Sequence, residues 1–274
     1  MPLDLRLETP RHRRRRRALQ QPFPVAWRQL LQVRMAAWRS LDEGERRHLE
    51  DLVRVFLADK RWEGSRGFEL TEKIRVLIAA QACLLLLGLD HDHYRTVRTI
   101  VVHPSTIVLS GPRSTGIPGV VVDGPMPIAG QTSATGPVLL AWNAVSDGAR
   151  HPERGHNVVY HEFAHRLDML DGVVNGTPPL PDRETVKRWV EVCTRVYEQV
   201  KSGVALPPMR DYAAVSPAEF FAVATEGFFD RPTQLQALYP DLYDVLAGFY
   251  RQDPAARHRR AAPGPVAKPG SGPS

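Results

Sequence analysis

Cysteine is scarce in this chain: Cys83 and Cys193 are its only thiols. Two thiols so far apart make no disulfide framework and fit a reducing compartment. Long apolar runs are lacking as well. The longest, Val76 to Leu89, is interrupted by Gln81, falls short of a bilayer span and reads as a buried helix. No secretory leader is evident, because Arg13–Arg17 runs into Ala-Leu-Gln-Gln-Pro rather than an apolar stretch. Together these absences argue against a disulfide-stapled, membrane-spanning or exported protein and point to the cytoplasm.

What is present suffices for a packed core. Of 274 residues, 43% are hydrophobic and 24% charged, which excludes wholesale disorder. The formal net charge is +6, and it sits at the ends. Residues 1–20 hold seven arginines against Asp4 and Glu8, and residues 252–274 hold Arg257, Arg259, Arg260 and Lys268 against Asp253. The stretch between is slightly acidic. A nucleic-acid partner is therefore disfavoured, since no binding fold follows Arg11–Arg17. The expected organisation is a disordered arginine-rich arm over 1–20, a single domain over 21–251 and a disordered Pro/Gly-rich tail over 252–274.

Helical spacing runs from Trp27 to Phe56, with two helices expected to part at Ser40, read as an N-cap boxed with Glu43. Thr71 should cap a helix reaching Leu87. The period then changes: Thr99–Leu109, Gly119–Asp123 and Pro137–Ala144 read as strands. Pro137–Ala144 suits an edge strand on which an extended peptide could pair, or an ordinary buried strand. Helices return from Asn157 to about Leu170, then over 183–201, 216–230 and 232–250. The order predicts an α+β fold, mainly helical with a small sheet.

The chemistry gathers at His161-Glu162-Phe163-Ala164-His165. This HExxH pattern on a helix puts both imidazoles on one face, where they can ligate one metal. Glu162 lies beside that position, placed to take a proton from water. A third ligand is required. An elongated motif would need a glycine and a histidine where Asp168 and Asp171 stand, so the ligand must come from elsewhere. Glu219 opens the run to Glu226 in the first turn of another helix, and it also suits a capping box with Ser216. Glu226, two turns on, suits orienting an imidazole or pairing with an arginine. Asp168 suits a ligand-orienting bond, an arginine pair or the solvated end of the helix. Tyr212 alone reads as a packing aromatic. His91-Asp92-His93 lacks a third ligand and reads as a solvated loop. His151 and His156 either gate the site or are merely exposed.

The run His161-Glu-Phe-Ala-His165 followed by Tyr212-Ala-Ala-Val-Ser-Pro-Ala-Glu219-Phe-Phe-Ala resembles the signature of gluzincin metallopeptidases, most closely the Mlc titration factor A family. Arg166-Leu167-Asp168, Gly136-Pro137-Val138 and Asp230-Arg231-Pro232 extend the resemblance from Val25 to Pro254. It implies a zincin fold around an HExxH helix and one Zn2+ per chain on His161, His165 and Glu219. Glu162 would be the general base and Tyr212 the transition-state donor. The implied activity is that of an aminopeptidase on short peptides, and the implied partner is a transcriptional repressor. The rival reading is a regulatory binding protein that sequesters this repressor, with hydrolysis secondary. A pure binding protein, however, need not keep Glu162.

Overall fold

The structure, a computed structural model, describes residues 9–105 and 136–261, with the backbone of short strand segments between 107 and 131. Helices α1 (Pro10–Gln20), α2 (Val25–Arg34), α3 (Ala36–Ser40) and α4 (Glu43–Asp59) come first. Strand β1 (Arg61–Gly64), helix α5 (Glu72–Leu84) and strand β2 (Thr99–His103) follow. The segments β3 (Ile107–Leu109), β4 (Arg113–Ser114), β5 (Val121–Val122), β6 (Met126–Ile128) and β7 (Gly130–Gln131) lead to β8 (Val138–Ala141). The rest is helical: α6 (Trp142–Arg150), α7 (Val158–Asp168), α8 (Arg183–Lys201), α9 (Pro217–Asp230), α10 (Pro232–Leu238), α11 (Pro240–Tyr250) and α12 (Pro254–Ala261). This is the mainly helical α+β architecture expected. Among the described residues no helix is long and apolar enough to cross a membrane.

The main sheet has the order β1-β2-β8-β7, with β1, β2 and β8 parallel and β7 antiparallel. Strand β8 is therefore interior, paired with β2 on one side and β7 on the other. That overturns the edge-strand reading of Pro137–Ala144; among the described residues the outermost strand at this end is β7. The strand also stops at Ala141, because Trp142 begins α6, whose Val145 and Ala149 are buried one turn apart. The expected strand Thr99–Leu109 is divided into β2 and β3. Of Gly119–Asp123 only Val121–Val122 lies among the described residues.

Capping chemistry sets several helix starts. Thr71 Oγ1 accepts from Ile74 N (3.4 Å), as expected. The box before α4 is made by Asp42 and Glu45, not Ser40 and Glu43. Ser40 instead closes α3, its hydroxyl donating to Ala37 O at 2.9 Å. The expected helix over 232–250 is cut at Tyr239, because Pro240 has no N–H and starts α11.

Both ends are more ordered than expected. Thr9 caps α1, and Arg11 and Arg15, one turn apart, face the body. Arg15 is 8% exposed. Its Nε donates to Asp59 Oδ2 at 2.7 Å and its Nη1 to Asp92 Oδ1 at 3.0 Å. Arg11 adds a bond to Asp59 at 3.1 Å. A periodicity of charge, rather than of apolar residues, seats this helix. At the other end Arg257 bonds Glu45 (2.7 Å) and Gln252 (2.9 Å), and Pro254 and Ala255 are buried. Residues 1–8 and 262–274, the remainder of the expected arm and tail, lie outside the described residues.

Helices α7 and α9 pack side by side in the core. Phe163, Ala164 and Leu167 of one and Phe221, Ala222 and Val223 of the other are fully or almost fully buried. Removing Arg15 would leave the buried Asp59 with a weaker partner. Arg15→Ala should therefore lower unfolding free energy by about 3 kcal/mol in denaturant titration, whereas Arg14→Ala on the exposed face should stay within about 0.5 kcal/mol.

Candidate metal centre

Asn157 fixes the start of α7. Its Oδ1 accepts from Val159 N (3.1 Å) and Tyr160 N (3.2 Å), and its Nδ2 donates to Gln81 Oε1 (3.0 Å). One turn later His161 and His165 stand with ring centroids 4.8 Å apart and Nε2 atoms 3.3 Å apart. Glu162 is buried beside them. Arg166, next to His165, is buried and donates to Gly136 O at 2.8 Å, which ties α7 to the segment before β8. Burial pulls the Arg166 pKa down to about 10, with the Glu162 charge opposing.

Helix α9 brings the carboxylates. Ser216 Oγ accepts from Glu219 N (3.2 Å), and Pro217 occupies the first helical position. The Glu219 side chain leaves the cap, so the expected capping box is only half formed. Its Oε2 is 3.0 Å from His161 Nε2 and its Oε1 3.5 Å from His165 Nε2. Two turns on, the buried Glu226 takes His161 Nδ1 on Oε1 (2.8 Å) and the Asn157 backbone N–H on Oε2 (2.7 Å). Arg210 Nη2 also donates to Glu226 Oε1, at 2.5 Å. Both roles suggested for Glu226, orienting an imidazole and pairing with an arginine, are filled together.

Tyr212 lies in a short 3-10 turn, Asp211–Ala214, with its ring centroid 6.0 Å from that of His161. The structure thus gathers His161, Glu162, His165, Glu219 and Tyr212 in one place.

The remaining candidates go elsewhere. Asp168 is fully buried, and its Oδ2 accepts from Gly176 N at 3.0 Å, fastening a loop across the start of α9. At Gly176, with φ 75°, a Cβ would stand 2.2 Å from Pro217 O, closer than any side chain can come, so the loop needs glycine there. Asp90, His91 and Asp92 also group as possible ligands, but they are exposed, and Arg15 Nη1 sits 2.5 Å from His91 Nε2. The chain itself supplies the cation there. His151 pairs with Glu153 at 3.0 Å, and His156 meets Arg210. Sequence reasoning missed Arg210, whose only signal was that a buried Glu226 would need a cation.

Electrostatics at the centre are strongly coupled. Burial would lower the His161 pKa, but bonds to Glu219 and Glu226 outweigh it and raise it to about 10. Burial would raise Glu219, yet the two imidazoles hold it well below the usual carboxylate range. Burial, with the charges of Glu219 and Glu162, pushes the Tyr212 phenol well above its ordinary value.

The donor set fits a metal ion. His161, His165 and Glu219 offer ligand atoms that all lie within 4.8 Å of one another. A tetrahedral ion with bonds of about 2.0–2.2 Å to nitrogen and oxygen needs its ligand atoms about 3.3–3.5 Å apart. The observed separations of 3.3, 3.0 and 3.5 Å lie close to that.

Two imidazoles and a carboxylate converging beside a buried glutamate define the kind of centre found in metal-dependent hydrolases. Comparison with known proteins places the chain more closely. It belongs to the glucose-regulated metallo-peptidase M90 family, whose profile matches residues 10–251. The match begins at the first residue of α1. The chain is 37% identical over 246 residues to the Synechocystis sp. protein slr2042, covering 88% of this chain and 89% of that protein. It is 35% identical to Mlc titration factor A of Edwardsiella ictaluri over 224 residues, covering 80% and 84%. With Mlc titration factor A of Yersinia pestis the identity is 31% over 240 residues, covering 85% and 87%. The resemblance drawn from the motifs is thus established, and with it the metallopeptidase class.

Glu226 should matter for stability even without metal. Glu226→Ala strands Arg210 and the Asn157 N–H, so metal-free protein should lose about 3–5 kcal/mol in denaturant titration, while Glu226→Gln should lose less.

Proposed function

We propose that this protein is a zinc-dependent peptidase of one metal ion per chain, with His161, His165 and Glu219 as ligands, Glu162 as general base and Tyr212 as oxyanion donor. The observation that carries the reading is the convergence of both Nε2 atoms with the Glu219 carboxylate from a second helix. Nitrogen and oxygen donors in a near-tetrahedral spacing suit zinc. When bound, zinc supplies Lewis acidity toward the attacking water and the scissile carbonyl.

The chain's own groups do the rest. The Glu226 carboxylate is placed to hold the Nδ1–H of His161, so that Nε2 would be the nitrogen offered to a bound metal in place of a proton. Glu162 takes a proton from the attacking water and passes it to the leaving amine. Tyr212 stays protonated at neutral pH because its pKa is raised, so its hydroxyl can donate to the developing oxyanion.

Aminopeptidase action on short peptides is the specificity we adopt from the family resemblance. It predicts cleavage of aminoacyl p-nitroanilides and no cleavage of their N-acetylated forms. The working unit is taken as one domain spanning α1 to α12, and two unbridged thiols support a cytoplasmic setting. The relatives' name, Mlc titration factor A, favours a second and compatible role, binding a transcriptional regulator.

Elemental analysis should find one zinc per chain. Glu162→Gln should keep that zinc and lose turnover by about 100-fold or more. Glu219→Gln should lose zinc in a chelator competition that Asp168→Asn survives with a weakening of at most about 10–100-fold. A Glu162→Gln protein with wild-type turnover would remove Glu162 from the base role.

A further inference from the structure

The turn that carries Tyr212 is held at both ends. At its far end the Tyr197 hydroxyl donates to Ala214 O at 3.1 Å. At its near end stands Arg210, immediately before the turn's first residue. Arg210 Nη2 donates to Glu226 Oε1 at 2.5 Å, the oxygen that also faces His161 Nδ1 at 2.8 Å. Arg210 Nη1 meets His156, next to the Asn157 cap of α7.

Tyr212 needs such an anchor. The residue is 38% exposed, so its aim depends on the turn that carries it as well as on the bond between its phenol and Glu219. The backbone bonds at the two ends of the turn are Ala213 N to Arg210 O (2.9 Å) and Val215 N to Tyr212 O (3.2 Å). The first of these begins at Arg210 itself. A displacement of Arg210 therefore propagates directly into the backbone that aims the phenol. The planar guanidinium, gripped between Glu226 and His156, fixes direction as well as charge, which an ammonium does less well.

We propose that Arg210 is a positioning residue: by gripping Glu226 it sets the Tyr212 turn in register with His161, so that one buried carboxylate aligns both. This rests on the reading of Tyr212 as oxyanion donor. Glu226 then serves two reaction-facing groups, one on α7 and one on the turn before α9. Neutralising a buried charge would be a purely structural role, and it makes a different prediction.

The test is a double-mutant cycle on the zinc-loaded full chain, Arg210→Met with Tyr212→Phe, measuring kcat and KM, with amide exchange measured on metal-free protein. Arg210→Met should lower kcat by about 10–100-fold, the scale of a small misplacement, and move KM by less than about threefold. In the Tyr212→Phe background the same change should lower kcat by less than about threefold, because the group it aims is gone. Amide exchange at Ala213 and Val215 should quicken in metal-free Arg210→Met protein. If Arg210→Met does not fold with Glu226 unpaired, Arg210→Lys, which keeps the charge but not the fork, carries the same cycle. Losses that multiply in full across both backgrounds, or unchanged exchange at Ala213 and Val215, would overturn the proposal. Wild-type kcat in Tyr212→Phe alone would instead remove the donor reading and take this proposal with it.

Discussion

The Glu226 carboxylate is the contact on which the centre depends. It lies on α9, yet its bonds reach the N-terminal cap of α7, the His161 ring and, through Arg210, the turn before α9. A buried carboxylate cannot stay ionised without such partners, and each partner would be misplaced without it. The crossing of α7 and α9 is thus fixed by polar bonds as well as by the apolar packing of Phe163, Leu167, Phe221 and Val223. Apolar packing tolerates sliding better than three directed bonds to one group.

That constraint explains the position of Glu219. Seven residues before Glu226 on the same helix, it is carried to the histidines once Glu226 is seated. The expected capping box is sacrificed at this point. Ser216 still accepts from the Glu219 N–H, but the carboxylate turns away from the cap toward the two imidazoles. A local rule is broken where the proposed ligand set needs the group, as functional positions often show. Around this frame, Asp168 fastens the loop over the start of α9, and Arg166 fastens α7 to Gly136.

Much of this was legible in the sequence. His161, Glu162 and His165 share a helix whose face is set by the spacing alone, and Ser216-Pro217 marks the start of α9. Glu226 was assigned its observed partners, an imidazole and an arginine, because a carboxylate two turns beyond the expected ligand Glu219 suits that role. What stayed hidden depends on tertiary pairing. Strand β8 reads the same whether it is interior or at an edge, and only β7 decides which. Helix α1 carries its period in Arg11 and Arg15 rather than in apolar residues, so a search for apolar periodicity passes over it. Arg210 is one arginine among many until Glu226 and His156 are brought to it.

The central claim is that two imidazoles of α7 and a carboxylate of α9 share one metal ion. X-ray absorption on zinc-loaded protein measures that shell directly. The account predicts nitrogen and oxygen donors at about 2.0–2.2 Å, two of them showing imidazole scattering, and a spectrum altered in Glu219→Gln. A shell containing sulfur at about 2.3 Å, or fewer than two imidazoles, or a Glu219→Gln spectrum identical to wild type, would contradict it.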